Sequence, residues 1–247
     1  MKNQFWFTII LCGFLFSCKA SYTGSADTST FYKPGETNST ATDSALLVTI
    51  VPYQEKLNKV MNDVLTFSTT SMEKAQPEGT LGNFVADACL VMASNSYHPV
   101  DLQGIDFCVL NNGGLRSSLP SGSITRKNVF ELMPFENELV VLTLNGSTVK
   151  GLLNYISVKG GVPVSNLRMK ILTDSFTDAF INEKQFEPAH NYKILTSDYL
   201  AYGGDAMELF SERISMEYIN LKVRDAIINY MQTQDTLKPK LDGRISR

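Results

Sequence analysis

Leu139-Val140-Val141-Leu142-Thr143-Leu144-Asn145-Gly146-Ser147-Thr148-Val149-Lys150-Gly151-Leu152-Leu153-Asn154-Tyr155-Ile156 changes its period half-way along. Leu139 to Leu144 is an apolar run of strand length that stops at the turn pair Asn145-Gly146, and from Ser147 to Ile156 the apolar residues recur at helical spacing. The same interspersion of strand and helix extends in both directions. Upstream, apolar positions from Ala45 to Leu65 recur at helical spacing, with Asp43 or Ser44 as N-cap and Pro52 bending the helix or opening its longer second part. Leu65 to Met72 then alternates toward β, Leu81 to Ala93 reads as an amphipathic helix, Ile105 to Leu110 as a short buried strand and Arg126 to Leu132 as a short helix. Downstream, Leu167 to Leu172 and Tyr192 to Thr196 are strands by composition, and Tyr218 to Met231 reads as a final helix. With no repeat, heptad or second boundary, the pattern predicts an α+β fold: one domain over 45–247 with a mixed β-sheet packed by interspersed helices.

The segment before that domain reads differently. Lys2 followed by the apolar run Phe5 to Phe16 is a signal-peptide pattern over 1–17, too short to span a bilayer. It ends in Leu15-Phe16-Ser17-Cys18, which resembles a bacterial lipobox and makes Cys18 the expected lipidation site. An ordinary secretion signal with an incidental cysteine is the alternative. Residues 18–44 are rich in Ser, Thr, Ala and Gly without apolar period, as expected of a flexible tether. The expected location is therefore exported, as a membrane-anchored lipoprotein on the periplasmic side or at the outer membrane, touching the membrane through its N-terminal lipid only. Within the folded part Cys89 and Cys108 both sit in apolar patterns. Spacing leaves open whether they pair or remain buried thiols.

Lys and Arg number 22 against 25 Asp and Glu, with no basic stripe, which argues against duplex nucleic acid and leaves small ligands. Three constellations suit one. Asn111-Asn112-Gly113-Gly114-Leu115-Arg116 follows a strand. Its paired glycines permit positive φ and close backbone approach, and Arg116 offers a fork for phosphate or ribose oxygens. A tight turn with a solvated arginine explains the same residues. Met133-Pro134-Phe135-Glu136-Asn137 and Ser197-Asp198-Tyr199-Leu200-Ala201-Tyr202-Gly203-Gly204-Asp205 each put an aromatic among turn residues, and an aromatic from each side can sandwich a base. Asp205 can accept hydrogen bonds from both ribose hydroxyls. The competing reading is a core Phe135, a rim Tyr199 and an Asp205 that caps a helix near Met207.

The order of these pieces resembles a family. Thr80-Leu81-Gly82-Asn83-Phe84-Val85-Ala86-Asp87-Ala88, the glycine turn, Ile124-Thr125 through Pro134-Phe135, Leu139 to Gly146, the Asp198 to Asp205 segment and Asp242-Gly243-Arg244-Ile245 are similar to successive signatures of the 5′-nucleotidase C-terminal domain. That resemblance implies a nucleobase clamp of Phe135 and Tyr199, with base- and ribose- or phosphate-facing Asn111 and Arg116 on the turn that holds Gly113 and Gly114. It also implies a polar neighbour in Asn137, and Asp205, after Gly204, on the ribose. The expected ligand is a nucleotide or nucleoside, of adenine type.

This chain departs from the family at four places. Asn112 replaces a glycine and is expected at the pocket wall; only Lys74-Ala75 stands where a further arginine is usual; Ser165-Asn166 replaces glycine near the base; and Tyr199 stands where phenylalanine is commoner. Hydrolysis in the family belongs to a separate domain with a two-metal site rich in His and Asp. This chain has only His98 and His190, each expected at the surface. No Gly-x-Ser-x-Gly elbow or P-loop lysine replaces that machinery. The expectation is no catalytic residue, no metal site and no cofactor in this chain, with divalent metals only in a separately encoded metallophosphoesterase that joins it in nucleotide catabolism or salvage. Two alternatives are a metal-independent phosphohydrolase and a non-catalytic exported scaffold that no longer binds nucleotides.

Overall fold

A computed structural model describes residues 44–247, so the expected signal segment, Cys18 and the tether up to Asp43 lie outside the described residues. Residues 48–247 form one compact unit, a single α+β domain. Helix α1, Ser44–Met61, forms where the apolar period predicts it and carries Pro52 within it, but none of its residues is buried. Its period therefore records helix without recording a core contact.

The domain is built on a five-stranded mixed sheet of order β10-β4-β9-β2-β5, made of Ser215–Lys222, Glu138–Asn145, Asn191–Ser197, Phe107–Val109 and Val164–Ser165. Both faces of this sheet are covered, which is why Leu139 to Leu144 reads as an almost unbroken apolar run. Leu139, Val141, Cys108 and Leu195 belong to one buried cluster, with α2 (Thr80–Ser96) and α6 (Val223–Gln232). Val140, Leu142, Leu144, Phe107 and Ile194 belong to the other, with α4 (Gly146–Val158). Cys89 and Cys108 are free, buried thiols. Two smaller sheets complete the domain: β11-β1-β3 (Thr236–Leu237, Val64–Ser68, Gly122–Thr125) and β12-β6-β7-β8 (Ile245–Ser246, Leu167–Ile171, Phe176–Ile181, Lys184–Gln185).

Local chemistry sets several boundaries. The Asn145 side chain accepts the Thr148 backbone N–H at 2.8 Å and so starts α4. Helix α3, Arg126–Leu132, opens on a capping box between Thr125 and Asn128. The expected helix over Tyr218 to Met231 needs correction, because its first residues belong to strand β10 and α6 begins only at Val223. The pairing of β10 with β4 shifts register between Tyr218 and Lys222, where Asn220 takes φ 57. Met216, Tyr218, Ile219 and Leu221 thus lose their strict alternation and mimic a helical period.

Topology places the loops that matter. Strand β9 is parallel to β2 and antiparallel to β4, with Leu139 opposite Ser197. The carboxyl ends of β2 and β9 and the amino end of β4 therefore meet at one end of the sheet. Helix α4, which follows β4 away from that end, turns the chain back toward it.

Candidate functional site

The three constellations occupy these strand ends. Asn111 to Arg116 follows β2 through a single 3₁₀ turn, Asn112–Gly114. Met133 to Asn137 precedes β4, and Tyr199 lies in α5, Asp198–Ala201, which β9 runs into. Asn111, Gly113, Gly114, Arg116, Phe135, Asn137, Tyr199 and Asp205 line one cavity of about 300 Å³, at the small end of the usual range for small-molecule sites. Three larger clefts, about 430, 450 and 470 Å³, are each bordered by Asp87 and contain none of these residues, and the first two also share Asp242 and Arg244.

Phe135 and Tyr199 are 41% and 49% exposed, which rules out a core Phe135 and leaves both rings presented at the cavity. The loop carrying Phe135 is pinned from below. Arg224, buried, donates to the Met133 and Phe135 carbonyls at 3.3 and 3.4 Å, pairs with Glu136 and lies 4.2 Å from the Phe130 ring centre. Lys222 pairs with the same carboxylate. Hydrogen bonds from Lys222 first and Arg224 second push the Glu136 carboxyl down to about 2.

Gly204 lies under Tyr199 instead of lining the cavity. A Cβ there would sit 2.5 Å from the tyrosine ring and 2.6 Å from the Tyr199 carbonyl oxygen. Only glycine allows that approach. The glycines of the other turn serve differently from the expectation, for neither Gly113 nor Gly114 takes positive φ. The Asn111 side chain folds back across them, so that a Cβ would meet its amide at 3.2 and 3.0 Å. From there Asn111 Nδ2 donates to Asp205 Oδ2 at 3.3 Å. Asp205 caps no helix through its side chain.

Asn112 turns away from the cavity and donates to the Gly161 carbonyl at 3.2 Å, which corrects its expected place at the pocket wall. Lys74 donates to the Leu115 carbonyl at 3.0 Å and so brings a cation beside the turn of Arg116. Ser165 is buried and donates to Asp87 at 2.6 Å, and with Asn166 it borders the cleft of Arg244 instead of the cavity. Two residues escaped the sequence analysis altogether: Tyr155 and Lys159, which touch Asp205 from α4 and the residue following it. Their only signal is one-turn spacing at the end of a helix that returns to the site.

His98 and His190 are both exposed, and among the described residues no group of three or more His, Cys, Asp or Glu could hold a metal ion. The described residues therefore do not fit a two-metal site. No described helix is long and apolar enough to cross a membrane.

A family model described as 5′-nucleotidase, C-terminal domain, matches residues 52–212. A 5′-nucleotidase of Vibrio parahaemolyticus is 27% identical over 207 residues, which cover 79% of this chain and 35% of that protein. The chain thus spans about a third of the length of this curated relative. Among solved structures, a 5′-nucleotidase precursor from Thermus thermophilus superposes with a TM-score of 0.68 at 22% identity, covering 83% of this chain and 43% of that one. The NAD nucleotidase of Haemophilus influenzae does so with a TM-score of 0.64 at 15% identity, covering 83% and 41%. At these identities the two structures speak for the fold.

Proposed function

This chain belongs to the 5′-nucleotidase C-terminal domain family, and on that premise we propose that it is a nucleotide- or nucleoside-recognition module, clamping a base between Phe135 and Tyr199 and holding the ribose on Asp205. The observation that carries this reading is the convergence of two exposed aromatic rings and one carboxylate on a single cavity. Base-on-aromatic stacking contributes about 1–3 kcal/mol per base and tolerates different bases, while a carboxylate accepts from both vicinal hydroxyls. Arg116 lines the cavity as its cation, and Lys74 stands beside the same turn, which suits a ligand carrying phosphate. Adenine is the preferred base in this reading, because the Asn111 and Asn137 amides offer the paired donors and acceptors that an adenine edge uses.

The chemistry of hydrolysis belongs, in this proposal, to a second polypeptide bearing a two-metal site, with which this chain forms a nucleotide-catabolic hydrolase. What this chain's own residues do is bind and orient the nucleoside. In this reading the signal pattern and Cys18 support a lipid tether that holds the pair on the periplasmic side of a membrane or at the outer membrane.

Purified chain incubated with AMP and Mn²⁺ is expected to bind AMP in equilibrium dialysis and to release no phosphate above the buffer blank. Addition of a family metallophosphoesterase domain as a separate chain is expected to start release. Phosphate release by the chain alone that Asp205→Asn abolishes while AMP binding survives would replace the module with a self-sufficient phosphohydrolase.

A further inference from the structure

Asp205 alone among the cavity-lining residues has a left-handed backbone, φ 56, and Ala206 follows it at φ 62. Residues with a Cβ adopt this conformation only where their surroundings over-determine it. Gly203, at φ 92, turns the chain into the segment, and the contacts that hold it come from the end of α4. The Tyr155 hydroxyl donates to the Asp205 carbonyl at 2.7 Å. One turn later the Lys159 ammonium stands 3.6 Å from Asp205 Oδ1 and 5.3 Å from the centre of the Tyr155 ring. Lys159 is itself tied down, since its carbonyl accepts from Gln76 Nε2 at 2.7 Å. Neither Tyr155 nor Lys159 lines the cavity. Burial first, and the Asp205 charge second, hold the Tyr155 hydroxyl above its ordinary pKa, so it stays protonated and donating at neutral pH.

We propose that Tyr155 and Lys159 are positioning residues that set specificity for the sugar half of the ligand: they lock Asp205 in its left-handed conformation so that its carboxylate faces the cavity and accepts from vicinal ribose hydroxyls. The proposal rests on the nucleoside-recognition reading. Lys159 and Asn111 each take one carboxylate oxygen, and a carboxylate offers about four acceptor positions, so room remains for two hydroxyls. The aromatic rings of the clamp stand on other elements, α5 and the loop before β4, so loss of the brace weakens the sugar contact more than the stacking of the base.

The test compares adenosine, 2′,3′-dideoxyadenosine and free adenine by calorimetric titration on wild-type chain, Tyr155→Phe and Lys159→Met. Tyr155→Phe removes one hydroxyl and is expected to weaken adenosine about five- to tenfold, as for one lost, partly buried hydrogen bond, with adenine and the dideoxynucleoside changed by less than about twofold. Lys159→Met, at a side chain 40% exposed, is expected to weaken adenosine by about two- to threefold, an effect that shrinks in added salt. Equal weakening of adenosine and adenine by Tyr155→Phe, or no weakening of either, overturns the brace and leaves the nucleoside site standing. Wild-type chain that binds adenosine no better than adenine overturns the ribose role of Asp205 and the brace with it. Wild-type chain that binds none of the three overturns the nucleoside reading itself. Should Tyr155→Phe melt well below wild type, the Lys159→Met comparison decides.

Discussion

Glu136 sits between the two cations that anchor the Phe135 loop, and its titration reports on that anchor. Its carboxyl is depressed from 4.5 to about 2 in the folded chain, so its stabilising effect is complete above the unfolded value and is lost as pH falls through the folded one. Glu136→Gln is expected to melt below wild type at neutral pH, with the gap closing between about pH 4.5 and 2; melting curves across that range check it, and a gap independent of pH would contradict it. Gly204 makes a second residue-scale test. Gly204→Ala forces a Cβ against the Tyr199 ring and carbonyl, and is expected to cost about 1–3 kcal/mol of stability and to weaken adenosine binding, both read by thermal melts and titration. Most of the cavity was legible in the sequence because glycine turns and misplaced aromatics are visible one residue at a time. Tyr155 and Lys159 were not, since their role comes from a helix returning to the strand ends, and Asn112 and Ser165 were misjudged because side-chain direction is decided by partners far along the chain.

Among the elements, β4 and α4 carry the most. Asn145 ends the one and caps the other, and Asn145→Ala is expected to cost about 1 kcal/mol, measurable as a shift in denaturation midpoint. Leu142 is fully buried in the middle of β4, and Leu142→Ala is expected to cost about 2–5 kcal/mol; a loss below about 1 kcal/mol would mean that the sheet is not covered on both faces. These two elements, with α3 and β9, were readable because their periods are uninterrupted and their caps are local. Strand β10 was not, because the register shift at Asn220 doubles its apolar residues into a false helical period. The β7–β8 hairpin was missed for a related reason. Its turn uses Asn182 and Glu183, both at positive φ, where the familiar turn signal requires glycine as the second residue.

At the scale of the molecule, the order of motifs from Leu81 to Arg244 made the fold legible, while the exposure of α1 was not, because an exposed apolar helix and a packed one have the same period. The domain brings together the carboxyl ends of β2 and β9, the amino end of β4 and the returning end of α4. That convergence turns separate loops into one cavity, and what the cavity holds decides what the domain does. The most direct measurement is calorimetric titration of the purified chain with adenosine, in wild type and in the Phe135→Ala, Tyr199→Ala double variant. Wild type is expected to bind saturably, and the double variant to lose at least about tenfold in affinity, from the stacking energy removed. Binding that survives the loss of both rings, or no binding to wild type at millimolar adenosine, would contradict that expectation.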